Sequence, residues 1–175
     1  PEDDALNDAL STIESEVQLV IRSLRDVIVS LHPPDMTELT FVEAIQDLVE
    51  WLFAERVKVT VDDQLSFRMK DEAAQIAYAV VAEALSNVSR HASASRVSIT
   101  LRPGTEGHYV LTVHDDGVGL GPDRPAARRG HLGLQMVRDR VESASGSLTI
   151  ISESGVRLEA ELPLPPADRA HSASN

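Results

Sequence analysis

Ala82-Glu83-Ala84-Leu85-Ser86-Asn87-Val88-Ser89-Arg90-His91-Ala92 reads as the end of a long helix that begins near Asp71. At 3.6 residues per turn, Ile76, Ala77, Val80, Val81, Ala84 and Val88 form one apolar stripe. Glu83 and Asn87 stand at its border, where a helix needing only core contact would carry aliphatics. Their four-residue spacing stacks a carboxylate over a carboxamide, with His91 one turn further and Arg90 beside it. Such a set brings a cation-binding oxygen and a proton acceptor close together. Taken alone, the stretch is equally well a solvated edge of an amphipathic helix.

Working outward toward the N-terminus, Val57, Val59 and Val61 alternate with polar residues and predict a strand ending at Asp62-Asp63. Residues 36–54 predict a helix with Thr37 as N-cap and with Phe41, Ala44, Ile45, Leu48, Trp51 and Leu52 turned inward. Ala9, Ile13, Val17, Val20, Leu24, Val27, Ile28 and Leu31 recur in steps of three and four along residues 4–31. That seam is narrow and suits a helical pair or bundle, so this helix needs a partner: another copy of the chain or a helix outside this sequence. His32-Pro33-Pro34 stops it, since each proline disfavours helix in the residue before it. Residues 1–34 are therefore expected to be a separate helical segment, with the compact domain starting at residue 35.

Toward the C-terminus, Val97, Ile99 and Leu101 alternate, Pro103-Gly104 turns the chain, and Tyr109 to Val113 returns as the second strand of a hairpin. A Gly-, Pro- and Arg-rich loop from Gly117 to Gly130 leads into a helix expected over Leu132 to Ala144. A last hairpin, Leu148 to Ile151 and Val156 to Leu162, turns around Ser154-Gly155. The compact domain is expected to span 35–163. Residues 164–175, rich in Pro, Ala and Ser, are expected to be a disordered tail. These elements predict an α+β fold, a mixed and mostly antiparallel sheet covered on one face by helices and preceded by a long N-terminal helix.

The composition narrows the function classes. Of 175 residues only 3% are aromatic, so the core must be built from Val, Leu, Ile and Ala. The net charge of −12 repels nucleic acid and anionic lipid. The lack of cysteine excludes disulfides, thiolate catalysis and Cys-ligated zinc, and it fits a cytoplasmic setting. The sequence has no run of ~18 apolar residues, so membrane attachment is expected only through segments outside it. A chain that starts at Pro1 is expected to be a piece of a longer protein.

Two further stretches carry candidate chemistry. Val113-His114-Asp115-Asp116-Gly117-Val118-Gly119-Leu120 ends a strand in two carboxylates and then sets two glycines two residues apart. Glycines so placed let backbone approach a flat ligand, and a carboxylate accepts from an exocyclic amine. A plain turn after a strand gives the same pattern. Arg128-Arg129-Gly130-His131-Leu132-Gly133-Leu134 precedes the expected helix. Open N–H groups at a helix start suit phosphate, although an ordinary surface loop would read alike.

In order, Glu83-x3-Asn87-x2-Arg90-His91, Asp115-x-Gly117-x-Gly119 and Gly130-x2-Gly133-Leu134 resemble the N, G1 and G2 boxes of the ATP-binding domain of sensor histidine kinases. The run Glu-Ala-x-x-Asn-x-x-Arg-His-Ala, with Arg138-Asp139-Arg140-Val141, resembles the branch whose response regulators are NarL-like. The resemblance covers roughly residues 10–163. It implies a two-layer α/β sandwich of the Bergerat (GHKL ATPase) type, with ATP held between the N-box helix and a lid. On that resemblance Glu83 is the general base or orienter and Asn87 the Mg²⁺ ligand. Asp115, shaped by Gly117 and Gly119, accepts from the adenine amino group. Gly130, His131, Gly133 and Leu134 belong to the phosphate-covering lid, Arg90 offsets phosphate charge, and His91 lies near the nucleotide.

The resemblance also makes the N-terminal helix the second helix of a dimerisation and phosphotransfer hairpin, hence a homodimer in the full-length protein. Its phosphoacceptor histidine would lie on a first helix outside this sequence. His114-Asp115 sits on a strand and His32 at a helix end before Pro33, and neither suits that role. The sequence departs from the family pattern at Asp116, where Asn is common, and at Gly155-Val156, where Gly-Thr is frequent and the threonine hydroxyl helps bind adenine. Two other functions remain open at this stage. One is an anti-sigma-type serine kinase of the same superfamily, against which the helix at 4–31 counts. The other is a non-catalytic dimerisation module with a decayed nucleotide site, which Val156 motivates.

Overall fold

The computed structural model describes residues 10, 12–13, 16–17, 20, 34–36, 38–53, 56–66, 69, 71–105, 107–120 and 126–164, with backbone alone at 71 and 126–132. The chain divides into two units, Pro1–Pro33 and Pro34–Asn175. In the first unit the described residues are helical, and Leu10, Ile13, Val17 and Val20 are each about half exposed along one seam. Leu24, Val27, Ile28 and Leu31, which continue the expected seam, lie outside the described residues.

The second unit orders its elements as α1 (Phe41–Phe53), β1 (Lys58–Asp63), α2 (Asp71–Asn87), a π-helical turn (Val88–Ala92), β2 (Arg96–Pro103), β3 (His108–Asp115), α3 (Ala126–Ser143), β4 (Ser147–Glu153) and β5 (Gly155–Pro163). The sheet runs β1-β2-β3-β5-β4. β1 and β2 are parallel, joined through α2 as a parallel pair requires. The β2–β3, β3–β5 and β5–β4 pairs are antiparallel. The α+β architecture expected from the sequence is the one observed.

Alternation along the strands places Val97, Ile99, Leu101, Tyr109, Leu111, Val113, Leu158, Ala160 and Leu162 in the core. They meet the stripe of α2, where Ile76, Ala77, Val80, Val81, Ala84 and Val88 are all buried as predicted. Tyr109 donates its hydroxyl to Ala73 O at 3.1 Å and ties β3 to the start of α2. Burial pushes that phenol well above its ordinary pKa.

Four expectations need correction. Helix α1 begins at Phe41 rather than near residue 36, because Thr40 and Glu43 form a reciprocal capping box. Glu43 N–H donates to Thr40 Oγ1 at 3.2 Å, and Thr40 N–H donates to Glu43 Oε2 at 2.7 Å. Thr37, the cap read from sequence, lies outside the described residues. Trp51 is 36% exposed, and Phe53, which the reading left out, is buried.

Helix α3 starts at Ala126, six residues before Leu132. Ala126, Ala127, Arg128 and Arg129 are strong helix formers that outweigh an interior glycine costing about 1 kcal/mol. At the other end of the chain Leu164, assigned above to the tail, is buried and donates its N–H to Gly107 O at 2.7 Å. Residues 165–175 lie outside the described residues.

Candidate nucleotide site

The site is built at the C-terminal end of α2. Asn87 Nδ2 donates to Glu83 Oε1 at 2.9 Å, and both side chains are half-buried at the border of the apolar stripe. The bond fixes the carboxylate and leaves Asn87 Oδ1 without a donor among the described residues. The α-helix then loosens into the π turn, which ends at Ser93 in a left-handed conformation (φ 49°). Arg90 and His91 lie on this turn and are exposed, with Arg90 Nε donating to Ser86 O at 3.2 Å.

Facing this helix end is the loop after β3. Asp115 is 5% exposed, and its Oδ1 accepts the Gly117 N–H at 2.8 Å. Its other oxygen, Oδ2, meets no donor among the described residues, an uncommon state for a buried carboxylate. Strand register pairs Val97 with Asp115 and Val156 with Ser152. Gly117 packs so closely on Ala92 that a Cβ there would stand 2.8 Å from Ala92 Cβ and 2.8 Å from Asp115 Oδ1. Val118 N–H reaches Ala92 O at 2.9 Å. Gly119 adopts φ +70° beside Ser152, whose Oγ accepts the Leu120 N–H at 2.7 Å. Gly155, at φ +99°, backs onto the Asp115 carbonyl.

The third stretch comes in from α3. At Gly133 the helix backbone lies directly against the Glu83 carboxylate, and any Cβ there would collide with it. Leu134 follows, half-buried. Because α3 begins at Ala126, Gly130 and Gly133 stand inside the helix and not at an open N-terminus as the sequence suggested. The side chain of His131 lies outside the described residues.

Glu83, Asn87 and Gly133 are thus brought together, as are Asp115, Gly117 and Gly119, and Ala92 joins the two groups. Ser152 and Gly155 were not singled out as site residues in the sequence. Only strand register reveals them, although Gly155 directly before Val156 was a partial signal. Asp116 was noted merely as a departure, yet its carboxylate is deeply engaged: the Ser95 hydroxyl first, then the Arg96 amide, hold its pKa well below the ordinary carboxylate range. Among the described residues no cluster of three or more His, Asp or Glu side chains is arranged to hold a metal. One amide oxygen beside a carboxylate fits Mg²⁺, which takes few protein ligands and completes its shell with phosphates and water.

Comparison with known proteins covers the same part of the chain. Residues 72–166, more than half of the chain, match the family described as Histidine kinase-, DNA gyrase B-, and HSP90-like ATPase. The chain is 32% identical over 167 residues to the sensor histidine kinase NarS of Mycobacterium tuberculosis (strain ATCC 25618 / H37Rv), covering 94% of this chain and 38% of that protein. It is 26% identical over 158 residues to the nitrate/nitrite sensor protein NarQ of Escherichia coli (strain K12), covering 89% and 27%. The chain therefore spans well under half the length of these relatives. The histidine kinase domain of the Erythrobacter litoralis EL346 blue-light activated histidine kinase superposes with TM-score 0.61 at 21% identity, over 77% of this chain and 64% of that one. The mycobacterial sensor histidine kinase MprB superposes with TM-score 0.57 at 22% identity, over 77% and 98%. At these identities the likeness establishes the fold.

Proposed function

The chain belongs to the histidine kinase-, DNA gyrase B- and HSP90-like ATPase family, and from that premise we propose that it is the ATP-binding catalytic domain of a two-component sensor histidine kinase. It transfers the γ-phosphoryl group of ATP to a histidine on a dimerisation helix outside this sequence, for passage to a NarL-like response regulator. The observation that carries the reading is Asp115, a buried carboxylate that accepts the Gly117 N–H with one oxygen and meets no donor at the other among the described residues. A base edge with an exocyclic amine supplies the missing donor.

Each residue has a task in this scheme. Asp115 takes the adenine amino group, and Gly117 and Gly119 let the loop lie flat against the base. Asn87 Oδ1 would hold Mg²⁺, which would draw charge from the phosphates when bound. Glu83, held by Asn87, orients the attacking imidazole and accepts its proton. Arg90 and His91 lie close enough in sequence to offset phosphate charge, and Gly130, His131, Gly133 and Leu134 belong to the segment that covers the phosphates. Phosphoryl transfer needs mainly positioning and charge neutralisation, so this sparse set suffices. The exposed seam of Leu10, Ile13, Val17 and Val20 supports homodimerisation of the full-length protein through its N-terminal helix. No described helix is long and apolar enough to cross a membrane. A cytoplasmic domain whose parent protein reaches the membrane through segments outside this sequence accords with that.

Titration with ATP and GTP, each with and without Mg²⁺, tests the reading. Mg²⁺-dependent binding that prefers ATP supports it. A folded protein that binds neither nucleotide favours the decayed module, the reading that Val156 motivates.

A further inference from the structure

We propose that Asp116 is a positioning residue that clamps the Asp115–Gly119 loop to the chain leaving the Glu83–Asn87 helix, and so fixes the adenine end of the site relative to its phosphate end. This rests on the nucleotide-binding reading given above. Strand alternation turns Asp115 inward and Asp116 outward, away from the base pocket. There its Oδ1 accepts the N–H groups of Ser95 and Arg96, each at 2.8 Å. Its Oδ2 accepts the Ser95 hydroxyl at 2.7 Å and Arg96 Nε at 3.3 Å. The backbone adds two bonds on either side, Asp116 N–H to Arg96 O at 3.2 Å and Val118 N–H to Ala92 O at 2.9 Å.

Ala92, Ser95 and Arg96 are the residues through which α2 and its π turn pass into β2. The clamp therefore couples the loop that carries Asp115 directly to the helix that carries Asn87. Gly117 shows how tight the juncture is, since no side chain fits between the loop and Ala92. Four accepted bonds use both oxygens of a carboxylate. Asparagine would keep one acceptor for the two amides, lose the bond from Arg96 Nε, and donate to the Ser95 hydroxyl instead of accepting from it.

The test uses the whole chain and two readouts: the Kd for ATP with Mg²⁺, and the hydrogen-exchange rate of the Val118 amide. For Asp116→Ala we expect ATP affinity to fall about tenfold, with Val118 exchange accelerated to a similar degree and the melting midpoint within about 4 °C of the parent. Asp116→Asn restores most of both. Unchanged Val118 exchange, or faster exchange with unchanged ATP affinity, overturns the assignment. If Asp116→Ala does not fold, Ser95→Ala, which deletes a single bond of the clamp, carries the same comparison. A parent protein without ATP affinity but with a Val118 amide that loosens on substitution overturns the nucleotide reading and with it the positioning role, and it identifies the clamp as structural only.

Discussion

Asn87 Nδ2 and Glu83 Oε1 are 2.9 Å apart, one helical turn along α2, so the carboxamide is oriented by the same carboxylate it supports. On the proposed reading the two halves of the amide have different tasks, nitrogen to Glu83 and oxygen to the cation. Asn87→Ala removes both. Mg²⁺-dependent ATP affinity is expected to fall by about tenfold or more, while the melting midpoint stays near that of the parent. Calorimetric titration with and without Mg²⁺ checks this, and equal Mg²⁺ dependence in the two proteins removes Asn87 from the site.

Gly133→Ala separates stability from chemistry. Alanine favours an α3 interior by up to about 1 kcal/mol, and the atoms nearest its methyl group are those of the Glu83 carboxylate, the end of a side chain that can turn aside by giving up its bond to Asn87. Urea midpoints are therefore expected to be equal or higher. Phosphotransfer to a separately supplied dimerisation helix is expected to drop about tenfold, because Glu83 is displaced from Asn87. A variant as active as the parent contradicts the role given to Glu83.

Val156→Thr places a hydroxyl on β5 opposite Ser152 and next to Gly155, which backs onto the Asp115 carbonyl. One additional hydrogen bond contributes about 1 kcal/mol, so ATP is expected to bind roughly fivefold more tightly. No change in Kd would mean that the position does not reach the base.

Thr40→Ala removes the cap of α1 at a cost of about 1 kcal/mol. Chemical denaturation reports the loss. ATP affinity is expected to stay at the parental value, because the capping box lies on an element that contributes no residue to the site.

Alkaline pH tests the buried phenols. Burial raises the pKa of Tyr109, and burial together with the nearby Asp47 charge raises that of Tyr78. The folded state keeps these protons when the unfolded chain begins to lose them near pH ~10. Their stabilisation is thus complete below that pH and is lost as pH rises through the raised folded values. Tyr109→Phe is expected to be less stable at neutral pH, having lost the bond to Ala73 O, and to show a shallower decline between pH 9 and 11. Parallel urea midpoints across that range would exclude the effect.

Much of this was legible because periodicity follows burial. The stripe of α2 and the alternation in β1, β2 and β3 were read correctly, and Glu83 and Asn87 stand at the border where they were placed. The misses come from competition between neighbouring signals. Thr37 and Thr40 are both capable caps, and only the partner Glu43 decides between them. Trp51 is apolar and periodic with the core positions, yet it is exposed while Phe53 is buried. The glycines of the third stretch suggested a helix start, whereas the alanines and arginines before them carry the helix back to Ala126. Ser152 and the clamp around Asp116 depend on which strands lie side by side, which local patterning does not encode.

β1 lies at one end of the strand order, and among the described residues its sheet partner is β2, from which the whole of α2 separates it in sequence. The helix bearing Glu83 and Asn87 is therefore the connection that must close before that pairing can form, a non-local step in folding. Fraying of β1 at its open edge slackens one anchor of the same helix. Ligation that holds α2 in place should then slow amide exchange along Lys58–Asp63, on a strand that touches no ligand, and make this outer strand a remote reporter of occupancy.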